Sequence, residues 1–330
     1  MKKVNYEIIK KSKLLITGGT GYIGGQIARY LASNGINIVC MTRGNRQIDS
    51  IPIIEGDLLK PETLENACKG VDIVCHLAGA LGRGMADDVI RAVNVNGTIN
   101  MIQAAKKAGV KYFLHISSGA VVGPKGPTPS DETTECHPYT IYEKTKLEGE
   151  YSALALSREI DLPLGVARPT FTYGPDDPHK LFMFQLIKKG WFFFIGDGLS
   201  TNHPVYIDDL IQGIMLMLEK KPVQEVFILG GTRPVTKKEW AETVSRILKV
   251  NSPKLYIPTS LAWLCASILE PIGRIVKIES PITRSRVLAL AKHWSMDISK
   301  ARRELGYSPE IDLFEGVKRT IISYQRNGLL

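Results

Sequence analysis

What most constrains the fold of this chain is residues 13–41. Residues 13–17 (KLLIT) form an apolar run of strand character, 18–21 (GGTG) a turn, 22–33 a helical pattern, Asn34-Gly35 a stop, and 36–41 a second strand-like run. A strand, helix and strand joined this closely make one βαβ crossover, which sets the two strands parallel in a single sheet. Gly18, Gly21 and Gly24 stand three apart. Gly18 lets the chain turn, Gly21 lets a pyrophosphate approach the backbone, and Gly24 lets the helix pack tightly on the strand with its first amides aimed at the anion. The lysine of a nucleoside-triphosphate loop is missing, so a dinucleotide is the expected ligand, held by Gly18, Thr20, Gly21, Tyr22, Ile23 and Gly24.

The alternation continues along the chain. Strand-like runs at 51–55, 72–77, 112–117 and 164–168 are separated by helical patterns near 61–68, 87–108 and 139–159, which predicts six parallel strands with helices on both faces. After Pro169 the rhythm breaks at Pro175, Pro178 and the aromatic run 191–194, expected to be core packing and one pocket wall. A strand and helix over 205–218 and a strand over 226–229 follow, then helical patterns at 237–248, 261–270, 299–305 and 313–326. The expected division is a basic extension (1–12), a dinucleotide-binding domain (13–170 with 203–230), and a smaller, mostly helical substrate domain (171–202 with 231–330).

The net charge of +9 raises the question of nucleic acid, but its distribution answers it. Residues 1–13 carry five Lys and one Glu and residues 271–330 eleven basic and six acidic groups, leaving 26 of each sign in between. Lys106-Lys107, Lys188-Lys189 and Lys220-Lys221 each end a helical pattern, where cations suit the helix dipole, so no nucleic-acid partner is expected. The five cysteines are scattered without metal spacing, and the first residues lack a signal-peptide core, which favours a reducing, cytoplasmic setting without a metal centre. No apolar run is long enough to span a bilayer; the nearest, 255–278, is interrupted by Pro258, Glu270, Pro271 and Arg274. Beside the basic flanks, that segment suggests loose attachment to an anionic membrane surface.

The second strand ends Thr42-Arg43-Gly44-Asn45-Arg46, without the acid that usually binds the adenosine ribose of NAD. Arg43 and Arg46, with the Thr42 hydroxyl, can hold a 2′-phosphate, so NADP(H) is favoured over NAD. Asp57 follows the third strand, placed either to meet the adenine amino group or to open a helix. Tyr142 and Lys146 lie four apart on a predicted helix, hence on one face. A nearby cation favours a phenolate and lets Tyr142 exchange a proton with a substrate oxygen, while Lys146 reaches ribose hydroxyls. The spacing alone is cheap, since Tyr6 and Lys10 match it too; position distinguishes them, because Tyr142 follows a strand ending in Ser117-Ser118.

These segments, in order, resemble the extended short-chain dehydrogenases/reductases, the superfamily of nucleotide-sugar epimerases and dehydratases, 3β-hydroxysteroid dehydrogenases and dihydroflavonol reductases. The matching pieces are TGGTGYIG (17–24), GDL (56–58), HLAG (76–79), NVNGT (94–98), HISS (115–118), YEKTK (142–146), RP (168–169), VYIDDL (205–210) and ARRELGYSP (301–309). The resemblance implies an α/β fold, a Rossmann-type doubly wound parallel sheet with a smaller helical C-terminal substrate domain. It implies hydride transfer between nicotinamide C4 and a carbonyl or carbinol carbon, with Tyr142 moving the proton, Lys146 positioning the cofactor and Ser118, five before Gly123, steadying the oxygen. Leu58, Leu77, Ala78 and Gly79 would line the cofactor crevice, and Pro169 and Phe171 would abut the nicotinamide. Asn94 is a family position, structural or water-organising, with helix capping as the alternative. Asp208-Asp209 has a structural role in the family, opening the helix that follows.

Sugar-nucleotide members commonly carry an arginine just before the VYIDDL-type strand, where this chain has Asn202-His203-Pro204. That departure favours an NADP(H)-dependent ketoreductase or alcohol dehydrogenase acting on a small carbonyl or alcohol substrate. A sugar-nucleotide epimerase or dehydratase is the second reading and a non-catalytic dinucleotide sensor the third. The resemblance also implies homodimers through the helices that include the Tyr-Lys helix.

Overall fold

The computed structural model describes residues 6–44, 46–82, 84–124, 126, 128–275 and 282–330, and of residues 274 and 275 the backbone alone. Residues 1–5 of the expected basic extension, Asn45, and the end of the apolar 255–278 segment lie outside the described residues.

Six strands, β1 (Leu14–Thr17), β2 (Ile38–Thr42), β3 (Ile53–Glu55), β4 (Ile73–His76), β5 (Tyr112–Ile116) and β6 (Leu164–Pro169), form a parallel sheet with Val226–Leu229 as a seventh strand. The order is Val226–Leu229, β6, β5, β4, β1, β2, β3, so the chain reverses direction across the sheet between β1 and β4. The expectation was six parallel strands; Val226–Leu229 joins them by pairing Phe227 with Ala167 and Ile228 with Arg168.

Alternation along each strand builds two cores. Leu14, Ile16, Ile38, Cys40, Ile73, Cys75, Leu114 and Ile116 face the helix Tyr22–Ser33, through Ile27, Ala28 and Leu31, and the helix Ile207–Lys220. Leu15, Val39, Val74, Phe113, Leu164 and Val166 face the helices Pro61–Cys68, Gly97–Lys107 and Ile141–Glu159. On β1, β4, β5 and β6 the residues in phase with this second set at the carboxyl ends are polar: Thr17, His76, His115, Ser117 and Arg168, all buried.

The amino-terminal segment is less detached than the sequence suggests. The short helix Glu7–Lys10 buries Ile9, and the Glu219 carboxylate accepts the amides of Ile8 (3.0 Å) and Ile9 (3.1 Å), tying it to the helix Ile207–Lys220. Tyr6 is buried there too, which accounts for the second Tyr-x-x-x-Lys match.

The later chain forms short pairings over one end of the sheet: Phe171–Tyr173 with Pro204–Tyr206, Thr201–Asn202 with Val235–Thr236, and Phe194–Ile195 with Tyr256–Ile257. Asp209 accepts the amides of Glu310 (2.9 Å) and Ile311 (3.0 Å), so this acid holds the C-terminal segment. A separate small core of Ile195, Ala262, Ala266 and Val287 sits under the helices Thr259–Ile275 and Arg284–Ala291. The aromatic run divides: Phe194 is buried as expected, but Trp191 is 69% exposed. Among the described residues no helix is long and apolar enough to cross a membrane.

The outer edge of the seventh strand is closed by side chains. Glu132 accepts the Ile228 amide at 2.8 Å, and Lys300 donates to the Val226 carbonyl at 3.0 Å and pairs with Glu225. Both groups sit where another strand would otherwise hydrogen-bond.

Candidate active site

The site lies on the carboxyl edge of the sheet at the β1/β4 reversal, the place where open α/β sheets bind ligands. Gly18 adopts φ +74°, and a Cβ there would stand 2.7 Å from the Ala78 amide nitrogen. At Gly24 a Cβ would come within 2.3 Å of the Gly18 carbonyl oxygen, so the helix Tyr22–Ser33 seats directly on the loop. That helix starts after exposed Gly21 with no side-chain cap and no acid in its first turn, which leaves its amino end open to a phosphate. These residues fit the pyrophosphate of a dinucleotide. The Tyr22 ring turns away from the loop toward Gly174, where a Cβ would stand 2.7 Å from its Oη.

The β4 end continues from the loop. Thr17 Oγ1 accepts the Ala78 amide (3.1 Å) and contacts His76 Nδ1 (2.8 Å), while His76 Nε2 lies 3.3 Å from Thr98 Oγ1, which donates to the Asn94 carbonyl (2.8 Å). These partners fix the imidazole as its Nε2–H tautomer, because Thr98, whose own proton goes to the Asn94 carbonyl, can only accept from Nε2, leaving Nδ1 to accept from Thr17. Burial lowers the His76 pKa to about 3, which keeps the ring neutral. Leu77 and Ala78 are half-buried and Gly79 exposed, so this segment climbs out of the sheet onto the crevice.

Asn94 lies in a π-helical turn, Ala92–Asn96, that bulges toward the helix Ile141–Glu159. Its side chain accepts the Ala80 amide (2.7 Å) and donates to the Ala80 carbonyl (3.0 Å) and to Thr145 Oγ1 (3.0 Å). It is therefore a buried clamp between the crevice wall and the Tyr-Lys helix, and not a helix cap.

That helix begins with a capping box. Thr140 Oγ1 accepts the Glu143 amide (3.2 Å), and Glu143 accepts the amides of Thr140 (3.0 Å) and Tyr139 (2.7 Å). The box fixes Tyr142 in the first turn, half-buried, with its phenol close enough to Ser118 for that hydroxyl to favour the phenolate. Burial raises the phenol's pKa and the Ser118 contact opposes it. Ser118 is extended and caps the short turn Gly119–Val122, accepting the Ala120 amide at 3.2 Å. Ser117 instead points into the buried face, its hydroxyl without a partner.

Lys146, one turn on, is 5% exposed and donates to the Ile116 carbonyl at 2.7 Å. Burial lowers its ammonium to about 8, with Glu150 pulling the other way. A Cβ on Gly79 would stand 4.0 Å from Lys146 Nζ, so the ammonium lies between the ends of β4 and β5, open toward the crevice wall. Ser118, Tyr142, Lys146, the glycine loop and Leu77, Ala78 and Gly79 thus share one edge. Pro169 is adjacent, its carbonyl 3.2 Å from where a Gly119 Cβ would be. Phe171 packs edge-on against Trp240, with ring centroids 5.4 Å apart.

The adenosine side is more open. Arg43 and Arg46 are exposed beyond β2, while the Thr42 hydroxyl is buried and donates to the Gly44 carbonyl (2.9 Å), which removes it as a phosphate donor. Asp49, the next acid after β2, is paired with Arg29 at 2.7 Å. Asp57 accepts the Leu59 amide (3.0 Å) in a turn; the helix that follows is entered instead through Lys60. Leu58 is a core side chain packed under Gly97, and its carbonyl accepts from Asn100 (2.8 Å).

A parallel sheet with this edge defines an NAD(P)-dependent enzyme of the extended short-chain dehydrogenase/reductase type. The chain belongs to the NAD dependent epimerase/dehydratase family, whose sequence profile matches residues 14–230. Among its relatives is a 4-hydroxy-2-methyl-3-oxo-4-farnesyl-3,4-dihydroquinoline-1-oxide ketoreductase of Stigmatella aurantiaca, 26% identical, the match covering 92% of this chain and 94% of that one. A 2-alkyl-3-oxoalkanoate reductase of Stenotrophomonas maltophilia is also 26% identical, over 93% and 98% of the two chains. Of solved structures, DesIV, a dTDP-glucose 4,6-dehydratase of Streptomyces venezuelae with NAD and TYD bound, superposes with TM-score 0.78 at 26% identity, covering 96% and 97%.

Proposed function

We propose that the protein is an NADP(H)-dependent ketoreductase or secondary-alcohol dehydrogenase acting on a small apolar substrate. Bound nicotinamide would supply or take up the hydride. Tyr142 would give its proton to the carbonyl oxygen in reduction and recover it in oxidation, and the Ser118 hydroxyl would donate to the same oxygen. Lys146, held by the Ile116 carbonyl, would place its charge beside the phenol and the ribose. Arg43 and Arg46 would take a 2′-phosphate, and segments 171–202 and 231–330 would enclose the substrate.

The observation that carries the ketoreductase reading is at the segment before Val205. His203 is buried, with Nδ1 2.8 Å from the Met296 carbonyl and Nε2 3.0 Å from the Gly231 carbonyl, and Asn202 is engaged in the pairing with Val235. Burial lowers the His203 pKa and both of its nitrogens are turned onto carbonyls, so neither residue offers the cation that a substrate pyrophosphate needs. The two reductase relatives support the same reading. The likeness to DesIV favours a sugar-nucleotide dehydratase or epimerase as the second reading.

NADPH consumption measured against a panel of apolar ketones and keto acids, beside sugar nucleotides, tests this. The expected result is turnover of a ketone that Tyr142→Phe lowers by about a hundredfold or more with dinucleotide binding retained. Interconversion of a sugar nucleotide without net cofactor change would overturn it.

A further inference from the structure

The helix Thr259–Ile275 carries its apolar residues on the wrong side for a soluble surface. Ala262 and Ala266 face the small core beneath it, whereas Leu261 (50% exposed), Leu264 (57%), Ile268 (53%) and Ile272 (48%) form a stripe on the opposite face. Their spacing of three, four and four residues keeps them in line along the helix. Trp263 and the preceding Leu255 and Tyr256 are exposed as well. Single exposed apolar residues are ordinary; a stripe over the length of a helix marks an interaction surface.

Charge indicates what covers it. Residues 249–292 contain seven basic and two acidic groups, and Lys249, Lys254, Arg286 and Lys292 are exposed. The helix contains a single acid, Glu270, and its carboxylate accepts from the Arg284 amide (3.1 Å) and Nε (3.2 Å). Pairing this face with its own copy would bring two basic segments together, whereas an anionic surface complements it.

We infer that the helix Thr259–Ile275 lies flat on an anionic membrane surface, with the Leu261-Leu264-Ile268-Ile272 stripe in the acyl boundary and the surrounding lysines and arginines among the headgroups. A helix this short, interrupted by Glu270 and Pro271, lies on a bilayer and does not cross it. Membrane docking is independent of which reaction the site performs.

Flotation of the full-length protein with vesicles of phosphatidylcholine alone, and of phosphatidylcholine mixed with phosphatidylglycerol, tests the inference. The protein is expected to float with the mixed vesicles at low salt, to be largely released at high salt, and to float poorly with the neutral ones. Leu264→Asp combined with Ile268→Asp, both at exposed positions, should weaken partitioning by about tenfold or more while NADPH binding and circular dichroism are unchanged. Absence of flotation with mixed vesicles, or equal flotation of the double variant, would overturn the inference. So would a dimer in sedimentation velocity that the double variant splits, since the stripe would then belong to a second copy.

Discussion

Arg168 and Glu150 form a two-pronged ion pair in the interior, with Nη2 2.6 Å from Oε1 and Nε 3.1 Å from Oε2, both side chains almost fully buried. It joins β6 to the Tyr-Lys helix one turn beyond Lys146, so the depth at which that helix sits depends on it. Breaking a buried pair from one side leaves an uncompensated charge. Arg168→Met is expected to cost about 3–5 kcal/mol of stability, and the double replacement Glu150→Leu with Arg168→Met distinctly less. Urea unfolding of the three proteins checks this; a double variant as unstable as the single one would show that the pair is held by more than charge.

In the proposed reading, cofactor choice would rest on Arg43, exposed just beyond β2, where the chain has no acid before Asp49. Arg43→Ala is expected to raise KM for NADPH by about tenfold or more, with little change for NADH. Parallel steady-state measurements with the two cofactors decide it, and equal effects would remove the 2′-phosphate assignment.

Lys146 is expected to set a pH limit on the proposed reaction. Its ammonium, lowered by burial to about 8, is charged below that pH and neutral above it. The Tyr142 phenol, raised by burial, keeps its proton through this range and remains an acid for reduction. The kcat/KM for ketone reduction should therefore be level below about pH 8 and fall above it by about tenfold per unit, as for any single-proton loss. Lys146→Arg, whose guanidinium stays charged, should shift the falling limb upward in pH. A limb that does not move with this substitution would belong to another group.

Much of this site was legible in the sequence because its parts are local. The glycine spacing, the strand before it and the Tyr-Lys pair each need only a few consecutive residues, and the capping box at Thr140 and Glu143 was readable by the same kind of signal. The Thr17-His76-Thr98-Asn94 chain and the Arg168-Glu150 pair were not, because they require the order of strands in the sheet and the depth of the helices. The π-helical turn at Asn94 inserts a residue that helical periodicity does not reveal. Leu181–Lys188 and Arg284–Ala291 are short helices whose apolar residues do not form the expected stripe, and the exposure of Trp191 depends on neighbours distant in sequence.

The closure of the sheet edge by Glu132 and Lys300 has a consequence for the order in which the chain is made. Glu132 precedes Ile228 by 96 residues, but Lys300 follows Val226 by 74, so the amide of the edge has its cover waiting and the carbonyl does not. During synthesis the nascent seventh strand would be partly masked, with its Ile228 amide covered while the Val226 carbonyl still waits for Lys300. A carboxylate already seated there disfavours the in-register pairing that seeds aggregates, and it does so before the lysine completes the seal.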